Sequence, residues 1–161
     1  MNPLLKYIVF LLFVGLPVGV QAQFSSPAGG SLAAGTVPEA QLMQPAELVK
    51  LLNAGGSERP VVFQVGSYVM FQQAHIPNSG FAGPGSRPNG LMLLTKLTGP
   101  LKKNQPIVIY CGCCPWGRCP NIGPAYKQLR DLGFTNVKAL YIANNFGDDW
   151  VAKGYPVERG E

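Results

Sequence analysis

Ile107-Val108-Ile109-Tyr110-Cys111-Gly112-Cys113-Cys114-Pro115-Trp116-Gly117-Arg118-Cys119-Pro120-Asn121 is the stretch on which the reading of this chain turns. Its first four residues are apolar and β-prone without alternation, as in a strand covered on both faces of a parallel sheet. The segment 122–132 then places Ala125, Leu129 and Leu132 at helical spacing, and Gly133 follows as a C-terminal cap. A strand, a loop and a helix in that order put Cys111 at the carboxyl end of the strand. Loop amides and a helix N-terminus there stabilise negative charge on sulfur. All four cysteines of the chain, Cys111, Cys113, Cys114 and Cys119, lie in this loop.

The flanking sequence repeats the alternation. Upstream, Gln44-Pro45-Ala46-Glu47 opens a helix with Pro and an acidic residue in its first turn, Leu48, Leu51 and Leu52 form its apolar face, and Ala54-Gly55-Gly56 ends it. Residues 60–65 read as a second continuous apolar strand and 68–74 as a short helix with Phe71 turned to the core. The segment 75–80 reads as a turn and 81–89 as a Gly- and Pro-rich loop. A helix is expected over 90–97, with Leu91, Leu93, Leu94 and Leu97 available for burial. A basic turn over 100–105 leads into the central strand. Downstream, 137–142 reads as a strand and 148–153 as a short helix. Strands alternating with helices imply a three-layer α/β fold, with a central, mainly parallel sheet and helices on both faces. Ligands of such sheets bind beyond the carboxyl ends of the strands, where Cys111 stands.

The N-terminal residues carry the signs of an export signal. Lys6 gives a positive start, 7–14 is apolar, Gly15, Pro17 and Gly19 interrupt it, and Val20-Gln21-Ala22 is a small-residue cleavage site. The apolar run is short against the ~20 residues that a helical span requires. The expectation is a signal peptide over 1–22, a flexible Ser/Gly/Ala-rich linker over 23–36 and one domain over 37–161. The protein is then exported, periplasmic or secreted, with no stable membrane span after cleavage. Lys and Arg exceed Asp and Glu by 13 to 8 but are scattered apart from Lys102-Lys103. That pattern argues against a nucleic-acid surface and suits a small anion. In an oxidising compartment four cysteines packed into one loop are no distributed disulfide framework. They do chemistry, hold a metal or pair locally.

From about Ala40 to Val157 the chain resembles the rhodanese family of sulfurtransferases. The resemblance is carried by Gln44-Pro45-Ala46-Glu47-Leu48, the strand 61–65, and Phe71 followed by Ala74-His75-Ile76-Pro77. It continues through Ile107-Val108-Ile109-Tyr110-Cys111, then Leu129, Gly133-Phe134 and Asn136-Val137, and finally Trp150 and Gly154-Tyr155-Pro156. It implies the rhodanese-like fold and a nucleophilic cysteine that takes up sulfane sulfur as a persulfide and passes it to a thiol or cyanide. By position that cysteine is Cys111. The sequence also departs from the family. The loop is several residues longer. Arg118 stands at C-x4-R from Cys113, the family's spacing, and at C-x6-R from Cys111. Cys111 is preferred because sheet geometry is harder to shift than loop spacing. Pro115 and Pro120 remove two amide donors from the loop. Gln64 and Gly66 replace the usual aspartate and arginine, and Ala143-Asn144 the usual glycine pair. The pattern is that of a divergent, cysteine-rich branch.

The site expected from these residues has Cys111 as nucleophile and Arg118 as partner of a persulfide anion or leaving group. Cys113, Cys114 and Cys119 are accessory thiols. Cys114 is the natural resolving thiol because it stands at C-x2-C spacing from Cys111. Gly112, Trp116 and Gly117 are expected around the pocket, with Arg87 and Asn144 at its mouth. No cofactor is expected. The partners implied are a small sulfur-containing anion or thiol acceptor, and a redox protein. Two other readings stand beside this one. One is a non-catalytic loop in which Cys111, Cys113, Cys114 and Cys119 hold Zn²⁺ or Cu⁺ or dock a redox partner. The other is a thiol–disulfide or oxyanion reductase. His75, the single histidine, is expected to be structural. With no second histidine and no paired carboxylates near the motifs, hydrolytic acid–base chemistry is unsupported.

Overall fold

Strand β4, Ile107–Tyr110, is buried at every position and lies at the centre of the molecule. The structure is a computed structural model and describes residues 36–54, 56 and 59–160. The expected signal peptide and all of the expected linker except Thr36 lie outside the described residues. In chain order come β1 (Leu42–Met43), α1 (Pro45–Ala54), β2 (Val61–Gln64), α2 (Tyr68–Gln73), β3 (Gly80–Phe81) and α3 (Pro88–Thr98). Then follow β4, α4 (Ile122–Asp131), β5 (Val137–Leu140) and a π-helical turn (Gly147–Val151). The five strands form one sheet in the order β1-β5-β4-β2-β3, and every pair is parallel.

Alternation along the strands divides the core in two. Ile107 and Ile109 of β4, with Phe63, Val137 and Ala139, face α3 and α4 through Leu94, Ile122, Ala125 and Leu129. Val108 and Tyr110, with Val62 and Leu140, face α1 and the π-helical turn through Leu48 and Trp150. A parallel sheet wrapped on both faces buries its strands completely, which is why β4 reads as an unbroken apolar run. Trp150 is fully buried, donates its indole N–H to the Pro156 carbonyl at 2.9 Å, and stacks on Phe146 at 5.8 Å. Trp150→Ala is expected to cost about 3–5 kcal/mol, because a large cavity opens in the second core. Chemical denaturation of the purified domain measures this. A loss under about 1 kcal/mol would mean that the site refills by collapse.

The expected helices and three main strands are present with small changes of boundary. The strand expected over 137–142 ends at Leu140, although Ile142 is buried. The helix expected over 90–97 is longer and starts at Pro88, a residue suited to a first helical position. Of its four leucines only Leu94 is fully buried, and Leu97 is exposed. Sequence reading missed the edge strands β1 and β3, which lie in segments read as a helix lead-in and as turn and loop. Two residues each give no period to detect.

Candidate functional site

The cysteine loop leaves β4 at its carboxyl end and is held down on two sides. Beside β2, the Val65 N–H donates to the Tyr110 carbonyl at 2.8 Å, and Gly66 follows against Cys111. A Cβ at Gly66 would stand 3.0 Å from Cys111 Sγ, so the absent side chain makes room for the sulfur. Gln64 fixes that turn: its buried Oε1 accepts the Gly66 N–H at 3.0 Å. Beyond β5, the Phe146 N–H donates to the Gly112 carbonyl at 3.0 Å and the Trp116 N–H to the Ala143 carbonyl at 3.0 Å. Pro115 opens a short 3-10 turn, Trp116–Arg118, and Cys119 and Pro120 lead into α4. The Trp116 ring packs on Tyr141 at 5.2 Å.

This frame brings the sulfurs together. Cys111 is 2 % exposed, and its Sγ lies 3.1 Å from Cys113 Sγ. Cys113 Sγ lies 3.0 Å from Cys114 Sγ. The sulfurs of Cys111, Cys113 and Cys119 are all within 4.8 Å of one another, and Cys114 falls outside that group. All four are free thiols. The partner of Cys111 is therefore Cys113, and not the Cys114 that C-x2-C spacing suggests. That spacing pairs sulfurs when both residues sit on one helical turn, and here α4 begins only at Ile122.

Asn121 belongs to the site as well. Its Nδ2 donates to Cys111 Sγ at 3.2 Å and more distantly to Cys113 Sγ at 3.8 Å. Its Oδ1 accepts the Ser86 N–H at 3.1 Å, which fixes the orientation of the amide. Four expected members stand apart. Gly117 is exposed and does not line the cavity beside the sulfurs. Arg118 is exposed too, and among the described residues no hydrogen bond joins its guanidinium to a cysteine. Arg87 is the exposed residue before α3, and the Asn144 N–H donates to Asp149 Oδ2 at 2.6 Å. Neither lines that cavity. His75 is structural. Its Nδ1 meets the Phe71 carbonyl at 2.8 Å, and its ring stacks on Phe71 at 3.9 Å.

The electrostatics of the cluster are uneven. The Cys119 thiol is held far below its ordinary range. The Cys111 and then the Cys113 thiols interact with it, and the Asn121 and Ile122 N–H groups at the opening of α4 add to them against the cost of burial. Contact with Cys113 pulls Cys111 down, but contact with Cys119 and burial prevail and push it up to about 12. Cys113 is pushed up by Cys111, then by Cys119 and burial. Burial, followed by Cys113, raises Cys114 to about 12. Of the four sulfurs, Cys119 is the one whose anionic form its surroundings favour. A cavity of about 10 Å³ lies beside these sulfurs, lined by Cys111, Gly112, Cys114, Trp116, Cys119 and Ile122 among others. It has room for one atom or water and for nothing larger. A wider cleft of about 350 Å³ lies at the opposite ends of β2, β4 and β5, between Pro60, Pro106 and Asn136. It holds the Lys138–Glu47 ion pair at 3.4 Å and no nucleophile.

Solved structures share this architecture. The Alr3790 protein from Anabaena sp. superposes with a TM-score of 0.57 at 20 % identity, over 73 % of this chain and 92 % of that one. The BH2092 protein from Bacillus halodurans does so with a TM-score of 0.55 at 24 % identity, over 73 % of this chain and 75 % of that one. A rhodanese_3-like domain of the same Anabaena protein aligns at 20 % identity over 63 % of this chain and 94 % of that one, with a TM-score of 0.47. The fold of this chain is rhodanese-like. No family model matches the sequence, and no curated protein matches it.

Proposed function

We propose that this protein is an exported sulfurtransferase that carries sulfane sulfur as a persulfide on the cysteine loop, with Cys111 as the carrying residue. The observation that supports this most is the placement of Cys111 Sγ at the end of the central strand, 3.1 Å from a second thiol and 3.2 Å from the Asn121 amide. With thiosulfate as donor, Cys111 gives up its proton to solvent and its sulfur attacks the sulfane atom. The S–S bond of the donor breaks, and sulfite leaves with the electron pair. The persulfide is more acidic than a thiol and remains an anion, held by the Asn121 N–H donor. Its outer sulfur then passes to an external thiol or cyanide. By the internal route, Cys113 attacks the inner sulfur, HS⁻ leaves, and a Cys111–Cys113 disulfide forms. An external dithiol then reduces the disulfide, which gives the expected redox partner a defined task. Export rests on the N-terminal pattern of Lys6, the apolar run and Val20-Gln21-Ala22.

The test is the intact mass of the reduced protein before and after thiosulfate or a polysulfide, followed by mapping of the modified peptide. A gain of one sulfur atom on the peptide bearing Cys111, reversed by cyanide, is the expected result. No gain with any donor would end the proposal.

A further inference from the structure

Cys111, Cys113 and Cys119 also form a donor set that fits a metal ion. Three sulfurs of one chain lie within 4.8 Å of one another, and no carboxylate or imidazole joins them among the described residues. Four cysteines on one short loop would strain a tetrahedral site, but the geometry sets Cys114 aside and leaves three. With metal–sulfur bonds of about 2.3 Å, a three-coordinate site has its sulfurs roughly 4 Å apart. The group needs only a modest opening of the 3.1 Å contact between Cys111 and the half-buried Cys113. The adjoining cavity of about 10 Å³ has room for one ion; Cys111 and Cys119 line it together with Cys114 and the apolar Ile122, Leu140 and Ile142. Asn121 Nδ2 already donates toward two of the three sulfurs, as an outer partner of a thiolate ligand does.

We propose that Cys111, Cys113 and Cys119 bind one soft monovalent d¹⁰ cation, Cu(I), as a three-thiolate site. All-sulfur coordination selects for softness, and the missing fourth ligand disfavours Zn²⁺. Copper stays at +1 throughout; each ligand thiol that carries a proton releases it as its Cu–S bond forms. The site needs reduced thiols and no persulfide, so it does not rest on the sulfur-transfer reading. Copper and sulfane sulfur would compete for Cys111.

The experiment is an anaerobic Cu(I) titration of the reduced full chain against a chromogenic Cu(I) chelator, with X-ray absorption on the product. One copper per chain, coordinated by three sulfurs, is expected. Cys119→Ser should weaken binding at least a hundredfold, and Cys114→Ser should change it less than threefold. Circular dichroism checks that each variant folds. If Cys119→Ser does not, Asn121→Ala is read instead and should weaken binding about 10–100-fold. Two-sulfur coordination, failure to compete with the chelator, or equal losses in Cys114→Ser and Cys119→Ser would each overturn the proposal. Sulfur uptake is followed in parallel on metal-free protein. Copper binding without uptake upholds this site and ends only the transfer reading, and uptake without copper binding does the reverse.

Discussion

Cys111→Ser is expected to lower sulfur uptake from thiosulfate by about three orders of magnitude or more, since loss of a nucleophile removes the covalent route altogether. The fold should survive. Cys111 sits in the first core, but serine is smaller than cysteine and Asn121 Nδ2 at 3.2 Å remains as a donor to its hydroxyl. Cys113→Ser should behave differently: uptake persists and the persulfide lives longer, because the thiol 3.1 Å away can no longer displace it as HS⁻. Cys119→Ser is the third arm. Removing the sulfur at the opening of α4 takes away the contact that helps push the Cys111 thiol up, so uptake quickens at neutral pH while the persulfide still maps to Cys111. Rapid-quench mass spectrometry of the three variants reads all of this. If uptake vanishes in Cys113→Ser and survives in Cys111→Ser, the arginine spacing marks the carrying residue and the strand end does not.

The central strand was legible because a sheet covered on both faces demands apolar side chains at every position, and Ile107, Val108, Ile109 and Tyr110 supply them. That one inference also pointed to the candidate site, since Cys111 follows directly. The partners of Cys111 were less legible. C-x2-C spacing carries geometry only on a helix, and this loop is not one. Gly112 has φ +70°, so the chain reverses there and Cys113 meets Cys111. Asn121 was hidden by its type. An asparagine before a helix reads as a cap, yet Asn121 makes no capping bond, and its amide goes to Cys111 and the Ser86 N–H. Arg118 shows the converse: a cation close in sequence to a nucleophile suggested contact, and the 3-10 turn leaves it exposed.

Gly112→Ala is expected to destabilise the protein by about 2–5 kcal/mol and to disable the loop with it. Two costs add. An alanine at φ +70° sits in the left-handed region, which costs roughly 1–2 kcal/mol. Its Cβ would also stand 2.6 Å from Phe146 Cβ and 3.2 Å from Phe146 N, and such overpacking costs about 1–3 kcal/mol. Relief cannot come from Phe146 cheaply, because that ring lies 5.4 Å from Tyr110 and 5.8 Å from Trp150 within the second core. The cysteine loop is the side that yields. As it lifts, the hydrogen bond from Phe146 N–H to the Gly112 carbonyl breaks and the Cys111–Cys113 contact opens. Sulfur uptake should therefore fall even at temperatures where the domain is folded. Gly117→Ala is the control: the same substitution in the same loop, at an exposed residue whose Cβ would have nothing within 4 Å. It should leave stability within about 0.5 kcal/mol or raise it slightly, because alanine restricts the unfolded chain. Denaturant melts of the two variants decide the matter. Equal midpoints would mean that the close approach of Gly112 to Phe146 does not hold the loop.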